Sequence, residues 1–219
     1  MDANQAPDRT KATTGLPEEA SGLDSLATLE PPARVFLFSG HMIDRPDRPE
    51  PRFPADKAPI AAAHIDAALD TLDAGPGDLA FAQAAAGGDI LFGEACVARS
   101  VRLQILLPLP EAEFIKASIL PSADGEAWRQ RYLALRDRLA LPIRIMSPSY
   151  GNDSPTTNPF ELCNHWLLES ALAQGAEQLS FICLWNGDDG DAAGGTAHMI
   201  KEVKRRAGQV IWLDTRRLW

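Results

Sequence analysis

Residues 34–40 read Arg-Val-Phe-Leu-Phe-Ser-Gly, and this short apolar run ending at a turn decides the fold class. Such a run, rich in β-forming residues and closed by Ser-Gly, is typical of a buried strand followed by a turn. Similar runs recur along the rest of the chain, at 78–82, 101–108, 142–146, 180–185 and 209–213.

Segments with helical apolar spacing separate these runs, and the pattern predicts helices at 57–72, 87–99, 111–118, 125–140, 159–174 and 195–207. Short strands that alternate with helices indicate an α/β fold. We expect a doubly wound, mostly parallel sheet of about six strands, Rossmann-like and forming a single domain. Ligands of such sheets bind beyond the carboxyl ends of the strands, so function is sought in the turns that follow them.

The chain of 219 residues is the size of one large domain. Residues 1–32 are polar and rich in proline and alanine, which predicts a flexible leader before a Rossmann-like domain at 33–219. Residues 41–56 carry four prolines among alternating charges, which favours a surface loop.

The formal net charge of −9 argues against a nucleic acid polymer as partner, whereas a small anionic ligand is compatible with it. Three widely spaced cysteines in apolar surroundings predict neither a disulfide framework nor a metal site. The sequence shows no signal peptide and no long apolar span, so we expect a cytoplasmic protein without a membrane contact. No cofactor is predicted.

The most suggestive turn follows the strand at 180–185 and contains Asn186, Gly194, Gly195 and Thr196. Glycines let a backbone approach a ligand closely, and the free N–H groups of a first helical turn attract an anion. These residues are candidates for holding a phosphate. The alternative is an ordinary tight bend with Thr196 as the helix cap.

A second turn contains Gly87, Gly88 and Asp89 at the start of a predicted helix, with Glu94 further along it. The glycines are candidates for ligand binding, and Asp89 either caps the helix or holds a ribose hydroxyl. Glu94 is a candidate catalytic acid or base, although a solvated helix-face charge is the commoner role of such a glutamate.

A third turn follows the first strand and brings Ser39, Gly40, His41, Asp44 and Arg45 to the same edge of the sheet. Asp44 is a second candidate catalytic carboxylate, and Arg45 with the arginines after it can reach phosphate oxygens. The alternatives are a structural hydrogen-bonding role for His41 and an exposed loop of mixed charge.

With these turns in place, the chain resembles a divergent member of the SLOG superfamily, which includes the Smf/DprA and Lonely Guy-like proteins. The resemblance rests on three short motifs, which are Ser39-Gly40, Gly87-Gly88-Asp89 and Gly194-Gly195-Thr196. The resemblance implies a Rossmann-like domain that binds nucleotides or nucleotide-derived signals, and a homodimer. Phosphoribohydrolases of this group have a glutamate where this chain has Met199, so the resemblance supports ligand binding more than hydrolysis.

Three functions follow from the sequence. The first is binding or sensing of a small nucleotide-like ligand through the glycine-rich turns. The second is a nucleotide N-glycoside hydrolase or ribosyl transferase that uses Glu94 or Asp44 to stabilise charge at the ribose. The third is a protein interaction module in which the glycine turns are only structural.

Overall fold

Strands and helices alternate along the described part of this computed structural model, which covers residues 30–150, 158–188, 196–206 and 208–219. The strands are β1 (Val35–Gly40), β2 (Leu79–Ala82), β3 (Arg102–Leu107), β4 (Arg144–Ile145), β5 (Leu179–Trp185) and β6 (Gln209–Asp214). The helices are α1 (Ala58–Thr71), α2 (Gly88–Ala98), α3 (Glu111–Ser118), α4 (Gly125–Arg136), α5 (Pro159–Leu172), α6 (Thr196–Arg205) and α7 (Thr215–Leu218). Short 3₁₀ turns occur at Ala55–Lys57 and Ala176–Gln178.

The six strands form one sheet in the order β4-β3-β2-β1-β5-β6, and every pair of neighbouring strands is parallel. The chain runs outward from β1 to β4 and then returns across the sheet to β5, which lies on the other side of β1. The strand order therefore reverses between β1 and β5. Sheets of this kind open a crevice at such a point, beyond the carboxyl ends of the strands.

The two faces of the sheet are covered by different helices. Phe36 and Phe38 of β1 belong to the core that includes α1 and α2, and the Phe38 ring stacks on Phe92 of α2 at 4.8 Å between centroids. Side chains alternate along a strand, so Leu37 points to the opposite face. There α5 packs on β1, β2 and β3, and α6 packs on β5 and β6. Residues buried on both faces explain why the central strands are continuously apolar.

The structure confirms the α/β fold and the parallel, doubly wound sheet that the sequence predicts. The largest differences in extent are at α4, which ends at Arg136 where the pattern predicts a helix to residue 140, and at β4, which is two residues long where a run at 142–146 is predicted. The predicted leader lies outside the described residues except at 30–32, and so do Gly194 and Gly195. Within the described residues, none of the helices combines the length and the apolar character needed to cross a membrane.

Replacing Phe92 tests the packing of α2 on the sheet. Phe92 is fully buried, so Phe92→Ala leaves a cavity under Phe38, and we expect a loss of about 3–5 kcal/mol in the free energy of unfolding. Ile60→Ala on α1 is the control, because Ile60 is one of the exposed large side chains and its loss costs less than about 1 kcal/mol. Urea denaturation measures both, and equal losses would contradict the assignment of Phe92 to the central core.

Candidate functional site

The crevice at the strand ends is bounded by the loop after β1, the start of α2, the end of α3 and one face of α5. His41 joins the loop after β1 to the end of β5, because its backbone N–H donates to the Leu184 carbonyl at 2.9 Å. The Asn186 N–H donates to His41 Nε2 at 3.1 Å. Two of the predicted turns are thereby fixed to each other.

The imidazole of His41 is neutral in this position. Burial and the charge of Arg52 lower the pKa of His41 to about 4, more than the contact with Asn186 raises it. Asn186 holds the ring, because His41 Nε2 lies 3.1 Å from both the Asn186 backbone nitrogen and Asn186 Oδ1. His41 therefore has a structural hydrogen-bonding role, which is one of the alternatives that the sequence leaves open.

The Gly87-Gly88 turn contacts the backbone of the loop after β1. The Ile43 N–H donates to the Ala86 carbonyl at 2.9 Å, and the Gly88 N–H donates to the His41 carbonyl at 3.2 Å. Gly87 has a φ of +113°, and a Cβ on it would lie 2.7 Å from the Ile43 nitrogen. The glycines thus permit the loop after β1 to approach α2, and the Gly88 amide is not available to a phosphate.

Asp44 shapes the arginine-bearing loop. Its Oδ2 accepts the N–H groups of Arg52 and Phe53, both at 2.8 Å, and its Oδ1 lies 3.3 Å from Arg48 Nε. The ring of Phe53 stacks in turn on Trp219 at 5.3 Å between centroids. The Asp44 carboxylate therefore closes the loop and holds Arg48 and Arg52 at the crevice.

An outer cavity of about 500 Å³ lies under this loop. Arg45, Arg48 and Arg52 line it together with Asp44 and Asp47, so positive side chains outnumber negative ones. Its apolar wall consists of Met42, Ile43, Pro49, Ala117 and Phe160. Three guanidinium groups beside an apolar wall suit an anion attached to an organic body.

An inner cavity of about 150 Å³ lies deeper, at the carboxyl ends of β1 and β2. Met42, Ser118 and Phe160 line both cavities, which places the two next to each other. The remaining wall of the inner cavity consists of Phe38, Ser39, Gly40, Gln83, Ala85, Asp89, Asn164 and Leu167. The crevice thus has an arginine-rich outer part and an inner part with one carboxyl group.

Asp89 is a buried carboxyl group that faces this inner cavity. It is 8% exposed, and its Oδ2 accepts the Ala85 N–H at 3.1 Å. Burial raises the pKa of Asp89 from an ordinary value near 3.8 to about 7, against the lowering effect of the Ala85 hydrogen bond. The side chain therefore exchanges a proton near neutral pH, a property of carboxyl groups at functional sites.

The other predicted site residues lie at different places in the fold. Ser39 Oγ lies 3.3 Å from Thr196 Oγ1, which joins the end of β1 to the first residue of α6. Arg45 is exposed at the outer cavity. Glu94 lies about 9 Å along α2 from its start, where its carboxylate forms an ion pair with Arg131 of α4, the Nε–Oε1 distance being 2.9 Å. Glu94 is thus bound at a helix interface and does not line either cavity.

The sequence does not single out several of the residues that line the cavities. Phe160, Asn164 and Leu167 lie at i, i+4 and i+7 of α5, which is the spacing of one helix face. Asn158 caps the start of this helix, because its side chain accepts the Phe160 N–H at 3.0 Å. Gln83 follows β2 and donates to Asn164 Oδ1 at 2.8 Å. The helical spacing was the signal that could have found the first three.

No protein-family model matches this chain, and no curated protein matches it. The resemblance to the SLOG superfamily consequently stays a prediction from the residues that carry it.

Gly87→Ala tests the backbone approach at the second turn. The positive φ costs roughly 1–3 kcal/mol for a residue with a side chain, and the contact with Ile43 adds to the loss in the free energy of unfolding. Gly75→Ala is the matched control, because nothing lies within 4 Å of its added Cβ, and it changes the stability by less than about 1 kcal/mol. Guanidinium denaturation measures the free energy of unfolding of both variants. A Gly87→Ala variant as stable as wild type would contradict the close approach of the loop to this glycine.

Asp89→Asn tests the buried carboxyl group. Because the pKa is raised on folding, the native state binds more protons than the unfolded chain between about pH 4 and 7, and stability falls as pH rises through that window. Asparagine keeps an acceptor for the Ala85 N–H without the charge. We expect Asp89→Asn to gain roughly 2–3 kcal/mol relative to wild type between pH 5 and pH 8. Denaturation curves at both pH values measure it, and a pH-independent difference would contradict the raised pKa.

Proposed function

We propose that this protein binds a small nucleotide-derived ligand in the outer and inner cavities. The observation that carries the proposal is the juxtaposition of three arginines with a deeper, partly polar cavity at the point where the strand order reverses. Doubly wound sheets bind their ligands at this point. The SLOG resemblance, with its nucleotide-binding members, is consistent with this ligand class.

The charge distribution supports an anionic ligand. The chain as a whole carries a formal charge of −9, yet the outer cavity presents Arg45, Arg48 and Arg52 against two aspartates. Guanidinium groups bind phosphate through paired hydrogen bonds, and a local excess of them overcomes a negative overall field. We therefore assign the phosphate to the arginines. The sequence assigns it to the two glycine turns. At one of them the Gly88 amide is bonded to the His41 carbonyl, whereas Gly194 and Gly195 lie outside the described residues.

Hydrolysis through Glu94 or Asp44 receives less support. The Glu94 carboxylate is engaged by Arg131, and the Asp44 carboxylate accepts two backbone N–H groups within its own loop. A catalytic carboxylate needs to face the reacting sugar with a lone pair available. Binding or sensing is therefore the leading function. The cytoplasmic location and the homodimer expected from the sequence are part of the same proposal and stay predictions.

The proposal is tested by adding nucleoside mono-, di- and triphosphates and cyclic nucleotides to the full chain. A ligand that binds only the folded state stabilises it by about 2.7 kcal/mol at a hundredfold excess over Kd. Calorimetry then gives Kd for wild type and for Arg45→Ala, which removes an exposed arginine of the outer cavity. We expect the variant to bind roughly tenfold more weakly.

Arg129→Ala is the matched control, because it removes the same charge from an exposed ion pair with Glu126 on α4. Its affinity should equal that of wild type. The absence of a stability shift with every nucleotide tested, or equal losses in both variants, would refute the assignment of the phosphate to the outer cavity.

A further inference from the structure

We propose that the inner cavity is a base subsite selective for guanine, in which the Asp89 carboxylate accepts two adjacent N–H groups of the base. The phosphate then lies outward, at the arginines. This inference rests on the proposed function, because it assigns an orientation and a base to a nucleotide bound in the same crevice.

The charges of the two cavities fix the orientation. Among the described residues that line the inner cavity, Asp89 is the single ionisable acid, and no arginine, lysine or histidine lines it. Like charges repel strongly where water is displaced, so a phosphate is disfavoured beside Asp89 and favoured beside Arg45, Arg48 and Arg52. A ligand that satisfies both ends carries an anion at one end and hydrogen-bond donors at the other.

The hydrogen-bonding capacity of Asp89 points to the guanine edge. An ionised carboxylate accepts about four hydrogen bonds, and the Ala85 N–H is one donor to it. Guanine presents its ring N1–H and its 2-amino group side by side, which matches two acceptor oxygens. Adenine places a ring nitrogen lone pair next to its amino group, and that lone pair would oppose the carboxylate. A site built to accept two donors rejects a ligand that lacks them.

The walls of the inner cavity suit a planar base. Phe38, Phe160 and Leu167 provide apolar surfaces for the ring faces. The cavity volume of about 150 Å³ is room for a group of the size of one base. The joined amides of Gln83 and Asn164 also line the cavity and carry N–H groups suited to a carbonyl oxygen such as guanine O6.

The test compares GMP, IMP and AMP by calorimetry on the full chain at pH 8, where Asp89 is ionised. We expect GMP to bind at least about tenfold more tightly than AMP, with IMP between them because it keeps N1–H and lacks the 2-amino group. Asp89→Asn should abolish this preference while thermal melting shows a folded protein. Arg45→Ala should weaken GMP and AMP by the same factor.

Different experimental results would overturn the guanine subsite and the proposed nucleotide binding. Equal affinities of wild type for GMP and AMP, both weakened by Arg45→Ala, would overturn the guanine subsite and leave nucleotide binding in place. A guanine preference that survives in Asp89→Asn would overturn the assignment to that carboxylate. If no nucleotide binds at all, the proposed function fails and the subsite fails with it. The IMP comparison requires no substitution, so the inference stays testable if Asp89→Asn does not fold.

Discussion

The approach of the loop after β1 to the Gly87-Gly88 turn is the contact on which the crevice depends. Its two backbone hydrogen bonds, from Ile43 to Ala86 and from Gly88 to His41, satisfy polar groups that would otherwise be buried without partners. They also bring Asp44 and the following arginines over the strand ends. The loop thus covers the start of α2 and, by the same contact, becomes the charged wall of the outer cavity.

The inner cavity contains a buried carboxyl group, Asp89, that lowers the stability of the folded chain and that the rest of the fold does not require. A buried carboxyl group next to aromatic rings destabilises the folded chain when it is ionised, and an uncharged residue could hold the Ala85 N–H instead. Proteins commonly accept such costs at sites where a ligand later supplies the missing partners. The contrast with Glu94 is informative, because Glu94 already has its cation in Arg131 and so resembles a structural ion pair.

Much of the fold was predictable, since apolar periodicity and turn residues locate strands and helices through local physics. The strand order could not be predicted in this way, because it depends on which side of β1 the chain returns to after β4. Long-range partners likewise escaped prediction. Arg131 lies far from Glu94 in sequence, and Asn164 reaches the inner cavity only because α5 packs on the sheet. The glycine turn at 87 and 88 was recognised, but its partner is the loop backbone.

The pairing of β1 with β5 has a consequence for how the molecule folds. Val35 pairs with Leu79 on one side and with Leu179 on the other, so the second pairing joins residues roughly 140 positions apart. Contacts between such distant residues carry a larger loop-closure entropy and slow the folding reaction. Strands β1 to β4 pair with strands that are closer to them in sequence, whereas the inner cavity also needs Phe160, Asn164 and Leu167 of α5, a helix that follows β4 in the chain. On a ribosome, the chain would therefore acquire its ligand site only after most of it had been synthesised.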